Sequence, residues 1–262
     1  MLSIIILNYN NVGLLKKCIK SILSAQIKID YELIVVDNNS QDKSKEFLSQ
    51  LDLAPVKTQI VLNNRNSGYA AGNNQAVKLA QGDYIFICNP DIIVLPGAIE
   101  KLYSYLKNHS EVGMVGPQLL NLDHTVQYSC CRFPHWYTPF LRRTFLGGLP
   151  LLRKKLQKYL MLDYNHKEEK EVDWIIGAAL MFKKDFFEEL GGFDERYFLY
   201  FDDVDLARRI WQEGKKVVYL PSAQMIHAHQ RLSNMRPALP SLFSKILWIH
   251  IQSAIKYFWK WR

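Results

Sequence analysis

Four short apolar runs in the first 90 residues, each cut off by polar residues and separated from the next by a helical pattern, constrain this chain more than any other feature. Leu2 to Leu7 ends at Asn8-Tyr9-Asn10, and Tyr31 to Val36 ends at Asp37-Asn38-Asn39-Ser40-Gln41-Asp42. Thr58 to Leu62 runs into the Gly- and Asn-rich stretch NNRNSGYAAGNN, and Tyr84 to Cys88 breaks at Asn89-Pro90-Asp91. Between the first two runs, Leu14, Leu15, Cys18, Ile19, Ile22 and Leu23 recur at helical spacing. A shorter helix is expected from about Lys43 to Leu51, and another through Ala80. Apolar runs of this length read as strands buried on both faces. The β-α-β-α-β-α-β order then predicts a parallel, doubly wound sheet. Ligands of such sheets bind beyond the carboxyl ends of the strands. Asp37, Asn89 and Asp91 fall there, because Pro90 cannot continue a hydrogen-bond ladder.

The second half is less regular. A helix to about Asn108, a strand near Met114 and a strand over Val126 to Phe133 precede a basic amphipathic helical region, Pro139 to Leu162, broken by Gly147-Gly148-Leu149-Pro150. Val172 to Phe182 is apolar around Gly177, and Asp185 to Leu190 is a short helix. An aromatic strand, Tyr197 to Phe201, delivers Asp202-Asp203-Val204-Asp205 to a helix ending near Glu213. Two short strands, Lys216 to Leu220 and Gln224 to His227, lead to a last helix begun by Pro240. The expected division is one domain over 1–235, with a nucleotide half at 1–95 and an acceptor half at 96–235, followed by a basic amphipathic tail at 236–262.

Charge is unevenly placed. Of the 33 Lys and Arg, eight follow Glu213, where there is no acid, so the whole net charge of +8 sits in the last fifth of the chain. A second acid-free stretch, His124 to Leu162, holds Arg132, Arg142, Arg143, Arg153, Lys154, Lys155 and Lys158. Such blocks suit an anionic membrane surface; no nucleic-acid-binding motif accompanies them. The tail combines Trp248, Trp259 and Trp261 with lysines, as expected at a headgroup boundary. The competing expectation is a helix docked on its own domain or on a second subunit. No secretory leader or run of about 18 apolar residues is legible. The spacing of Cys18, Cys88, Cys130 and Cys131 suits neither zinc nor a disulfide framework. A cytoplasmic protein at the inner face of the membrane is the expectation.

The chemistry-bearing residues form two groups. Asp91 can supply one oxygen ligand to a divalent cation that neutralises a nucleotide diphosphate, and His227 or His229 could add an imidazole. Asp37 can accept from a pyrimidine N–H, or can simply close a turn. The loop Asn63 to Asn74 lacks GxGxxG and GxxxxGK, so dinucleotide and P-loop readings lose ground. In the second group, a carboxylate against the aromatic flank Tyr197, Phe198, Tyr200 and Phe201 can have its pKa raised and act as a general base.

Taken in order, IIILNYN, IVVDNNSQD, NNRNSGYAAGNN, FICNPDIIV, WIIGAALMF, GGFDERYFLYFDDVDLARR and IHAHQRLS resemble the inverting family 2 glycosyltransferases of GT-A fold, nearest their bacterial rhamnosyltransferase-like branch. The resemblance implies that Tyr9 and Asp37 contact the base and that Asn66, Gly68 and Asn74 line the nucleotide loop. Asn89 and Asp91 would stand in the DxD position, His227 would help hold Mg2+ or Mn2+, and Trp174 and Gly177 would flank the acceptor. Asp203 would be the general base, with Asp202 as its neighbour. Asn89 replaces the first DxD acid, and Asp202 replaces the usual Glu. The implied reaction moves L-rhamnose from dTDP-L-rhamnose to a hydroxyl of a growing lipid-linked surface polysaccharide such as O-antigen. A UDP-hexose or UDP-N-acetylhexosamine transferase of the same fold is the closest alternative, and a non-catalytic nucleotide-binding scaffold is a remote one. Dimerisation stays open.

Overall fold

The computed structural model describes residues 1–228 and 245–262; His229 and Pro240, with the helix start expected there, lie outside them. The elements run β1 (Leu2–Asn8), α1 (Val12–Ser24), β2 (Tyr31–Asp37), α2 (Ser44–Ser49), β3 (Lys57–Leu62), α3 (Tyr69–Leu79), β4 (Tyr84–Cys88), β5 (Ile92–Val94), α4 (Ala98–Asn108) and β6 (Val112–Leu120). There follow β7 (Val126–Gln127), β8 (Cys130–Cys131), α5 (Thr138–Arg143), α6 (Pro150–Tyr159), β9 (Lys170–Glu171), β10 (Trp174–Ile175), β11 (Ala179–Lys183), α7 (Lys184–Glu189), α8 (Asp202–Gln212), β12 (Lys216–His227) and α9 (Lys245–Lys260).

The main sheet has the order β3-β2-β1-β4-β11-β6-β12-β5. β3, β2, β1 and β4 are parallel, as the apolar runs predict, while β11 enters antiparallel against β4. The reason for burial on both faces is visible residue by residue. In β1, Ile5 packs into one core while Leu2, Ile4 and Ile6 pack into the other, and β2 splits the same way between Ile34 and Val36 on one side and Leu33 and Val35 on the other. Helix α1 buries Leu15, Cys18, Ile19 and Ile22 against the second core, leaving Leu23 exposed.

Three expectations change. The strand expected over Val126 to Phe133 is two fragments, β7 and β8, which join different sheets. The two strands expected between Lys216 and His227 are one, β12, whose register against β6 shifts between Leu220 and Gln224. Tyr197 to Phe201 is a turn and not a strand, with Tyr200 and Phe201 at φ +69° and +66°. A left-handed conformation at two bulky residues is costly and is held only by surrounding packing.

That packing comes from the C-terminal helix. Phe201 meets His250, Tyr257 and Phe258, and Tyr200 meets His250. Ser253 Oγ donates to the Leu199 carbonyl at 2.9 Å, and Tyr257 is fully buried. The charged end is fixed more firmly. Buried Asp205 accepts from Arg209 Nε, Lys260 Nζ and the Trp261 indole N–H, each at 2.9 Å or less. One face of α9 therefore docks on the domain, the alternative weighed from the sequence.

Candidate active site

Strand register gathers the site along one edge of the sheet. Asn8 pairs with Asp37 at the ends of β1 and β2, and Ile6 pairs with Cys88 one residue before Asn89. β11 begins at the same edge, Ala179 opposite Cys88, and β12 ends there with His227 opposite Ile92. Backbone bonds knit these ends together: Asn89 N–H donates to Ala178 O and Ala228 N–H to Asp91 O, both at 2.8 Å.

At the first strand ends, Asp37 is fully enclosed. Its carboxylate accepts from Asn8 Nδ2 at 2.9 Å, from Ser40 Oγ at 2.6 Å and from Ser40 N–H at 2.8 Å. This is the turn-closing role; Tyr9 stands exposed beside it. The neighbouring Asn38, which the sequence reading passed over, pins the next loop. Its Nδ2 donates to Asn66 Oδ1 and Gly68 O, and its Oδ1 accepts from Asn63 Nδ2 and from the Ser67 N–H and hydroxyl. Asn66 in turn accepts from Gly68 N–H. Gly68 has φ +90°, and a Cβ there would sit 2.4 Å from the Phe198 carbonyl, so the loop can touch the aromatic turn only through glycine.

Asn74 lies on α3. Both of its amide hydrogens are taken, by Phe193 O and Glu195 Oε1, and its Oδ1 accepts from Phe193 N–H. It ties α3 to the loop after α7.

Asp91 and His227 do come together: His227 Nε2 lies 3.3 Å from Asp91 Oδ2. Two ligands at about 2.1 Å on adjacent positions around one ion are about 3 Å apart, so the pair fits a single divalent cation. Gln127 Oε1 lies 2.6 Å from His227 Nδ1 and can accept its proton, an arrangement that turns Nε2 toward Asp91. Nothing in the sequence marks Gln127, which sits in a two-residue strand. Among the described residues no cluster of three His, Cys, Asp or Glu is suited to a metal, so further ligands would have to come from substrate and water. Asn89, half-buried, holds the corner through its backbone.

The acids of α8 have separate surroundings. Asp203 Oδ2 accepts from Gly177 N–H at 2.8 Å and its Oδ1 from Val204 N–H at 2.9 Å. A Cβ on Gly177 would lie 3.3 Å from Asp203 Cβ and 3.4 Å from its Oδ2, a tight fit. Burial pushes the Asp203 carboxyl up to about 6, against the opposing pull of the Gly177 and Val204 amides. Asp202, almost wholly buried, is raised further, first by desolvation and then by the adjacent Asp203 charge. Tyr69 links the two groups. Its hydroxyl donates to Gly177 O, and burial together with the charges of Asp202, Asp203 and Asp91 holds its pKa well above the phenol range. The aromatic flank, by contrast, is turned elsewhere: Tyr200 and Phe201 face α9, and Tyr197 is core. Trp174 is likewise buried, its indole donating to Arg132 O.

A mixed α/β sheet carrying a strand-end carboxylate and a desolvated carboxylate pair on one edge is the arrangement expected of a GT-A-type fold. Solved structures support that fold. GalNAc-T7 with UDP, GalNAc and Mn2+ superposes with a TM-score of 0.65 at 16% identity, over 89% of this chain and 44% of that one. The mannosyltransferase PcManGT from Pyrobaculum calidifontis, solved with GDP-Man and Mn2+, gives 0.61 at 20% identity, over 88% and 58%. The chain thus spans about half the length of these two structures. Residues 3–191 match the model for glycosyl transferase family 2, and the chain belongs to that family. Among curated relatives, the N-acetylglucosaminyl-diphospho-decaprenol L-rhamnosyltransferase of Mycobacterium tuberculosis is 26% identical over 227 residues, 82% of this chain and 72% of the relative. The rhamnosyltransferase WbbL of Escherichia coli is 27% identical over 269 aligned positions, 98% and 92%.

Proposed function

We propose that this chain is an inverting, metal-dependent rhamnosyltransferase that moves L-rhamnose from dTDP-L-rhamnose to a hydroxyl of a lipid-linked polysaccharide precursor. The observation that carries the reading is the shared backbone between the two carboxylate groups: Ala178 O holds Asn89, and Gly177 N–H holds Asp203. A base and a diphosphate anchor are thereby set on one rigid corner. Asp91 Oδ2 and His227 Nε2 would hold Mg2+ or Mn2+, and a cation bound there would stabilise charge on the departing diphosphate.

In the transfer, the acceptor oxygen attacks the anomeric carbon from the face opposite the nucleotide, forming the new C–O bond. The bond from that carbon to the phosphate oxygen breaks, and its electron pair leaves with the nucleoside diphosphate. Asp203 takes the acceptor proton. It is suited to this because it is the less buried of the pair, is raised to about 6 and so remains ionised at neutral pH. Asp202, its carboxyl raised well above the usual range by burial and by the neighbouring Asp203 charge, is the weaker candidate.

The names of the mycobacterial and E. coli relatives favour rhamnose. A UDP-hexose or UDP-N-acetylhexosamine donor is the competing reading, favoured by the UDP bound in GalNAc-T7. The test is transfer to a synthetic polyprenyl-diphosphate sugar from dTDP-L-rhamnose, UDP-glucose and UDP-N-acetylglucosamine, with Mn2+ or with chelator, and with the product anomer read by NMR. Transfer from dTDP-L-rhamnose with inversion and loss on chelation is the expected result. A preference for a UDP-sugar overturns the donor, retention overturns the single displacement, and full activity in chelator overturns the metal.

A further inference from the structure

Helix α9 has two apolar faces, and docking on the domain uses only one. The inner face carries Ser253, Tyr257 and Trp261, with Lys260 beside it. On the opposite side, at 3-4-4 spacing that keeps them on one stripe, lie Trp248, Ile251, Ile255 and Trp259, exposed by 56, 36, 64 and 64%. Contiguous exposed apolar surface of this kind marks an interaction site. The charges around it are all of one sign. Lys245 and Arg262 are exposed along or beside the stripe, Arg262 lies over the Trp259 ring, Lys256 donates to Arg196 O at 2.6 Å, and residues 214–262 contain no Asp or Glu.

The geometry points to this outer face as a docking surface for an anionic lipid bilayer, on which α9 lies parallel to the membrane plane. Tryptophan near each end of the stripe and cations at its margins match the headgroup boundary, where the apolar face enters and the basic rim meets lipid phosphate. A second copy of this chain fits less well. Two such stripes face to face would bring the Lys245 and Arg262 cations of both copies together with no acid on the helix to offset them. Spanning is also unsuited: 16 residues of helix reach about 24 Å, short of the about 30 Å hydrocarbon core. Among the described residues no helix is long and apolar enough to cross. Because the inner face grips α8, a docked α9 would hold the candidate base at a fixed height over the leaflet, within reach of a lipid-linked acceptor. The surface assignment stands apart from the donor and acceptor assignments, since vesicle binding tests the first and transfer assays test the others.

The experiment is flotation of the full chain with vesicles of phosphatidylcholine alone and with about a third phosphatidylglycerol, alongside Ile255→Glu and Trp259→Glu. Melting temperature and sedimentation velocity are measured on each protein. The wild type should float with the anionic vesicles and much less with the neutral ones. Each variant should lose about tenfold or more in partition, the loss expected from withdrawing one large apolar side chain, with melting unchanged. No flotation of the wild type at low salt, or equal flotation of the variants, overturns the proposal. A wild-type dimer that both variants convert to monomers assigns the face to a second copy and also overturns it.

Discussion

The assignment of the two adjacent acids is tested by rate against pH. Asp203 must be ionised to accept a proton, and burial raises its carboxyl to about 6. The required form is therefore full above pH 7 and is lost as pH falls through 6. At pH 5 about one molecule in eleven carries the ionised form, so kcat/KM should drop about tenfold per unit on the acid side. Asp203→Asn should remove about two to four orders of magnitude from kcat and abolish the acid limb, leaving a pH-flat residual rate. Asp202→Asn replaces a carboxyl that burial and the neighbouring charge raise well above the usual range with a neutral group of the same shape. It should cost less than about tenfold and keep the acid limb. Nucleoside diphosphate release gives the rate, and calorimetric binding of the nucleotide should match wild type in both variants. An Asp203→Asn enzyme that keeps its acid limb, or a dead Asp202→Asn beside an active Asp203→Asn, refutes the reasoning.

Asp202 also makes a prediction about stability. Its folded pKa is raised, so the native state resists ionising it, and the penalty grows as pH rises above the ordinary carboxylate range; Asp202→Asn should melt higher than wild type by a margin that widens from pH 5 to pH 8, and a constant margin would contradict this. Asp205→Asn leaves Arg209 and Lys260 facing an uncharged partner in the interior and should cost about 3–5 kcal/mol in denaturant unfolding; a loss under about 1 kcal/mol would show the network to be solvated. Gln127→Leu removes the acceptor that orients His227 and should weaken Mn2+ binding in the presence of a nucleoside diphosphate by about 10- to 100-fold, read by electron paramagnetic resonance of free Mn2+. Unchanged affinity would free His227 from that orienting role.

The parallel half of the sheet was legible because its inner strands β1, β2 and β4 are buried on both faces, and uninterrupted runs such as Leu2 to Leu7 announce that directly, while β3 at the edge is only partly buried. The second half was not, for two physical reasons. β7, β8, β9 and β10 have only two residues each, too few to show any period; β7 and β9 exist because β6 and β12 offer them an edge, and β8 and β10 pair with each other. Tyr197 to Phe201 is rich in residues that favour strands, yet it turns through left-handed φ because α9, some fifty residues further on, packs against its rings. Among site residues, Asp91 and either His227 or His229 were joined from residue chemistry, and the choice of His227 came through the resemblance, since 136 positions separate it from Asp91. The partners of Asn74 were equally illegible: it sits in an Asn-rich loop motif, but a carboxamide on a helix face takes whatever backbone passes it, here Phe193.

Asp202, Asp203 and Asp205 would be interchangeable by composition, and a helix N-terminus favours all three equally. What separates them is direction. Asp203 meets the Gly177 amide at the strand edge, Asp202 is enclosed, and Asp205 reaches Lys260 and Trp261 on α9. One turn of α8 therefore carries both the candidate base and the anchor of the C-terminal helix. A displacement of α9 must move that turn or break the Asp205 network. Removing Lys260–Arg262 should accordingly lower the transfer rate to a soluble acceptor as well as the stability, whereas substitutions on the outer stripe should lower vesicle binding and leave transfer to a soluble acceptor unchanged. If removal of Lys260–Arg262 lowers stability but leaves kcat at its wild-type value, the helix is a passive cover, and the geometry of Asp203 is set by Gly177 alone.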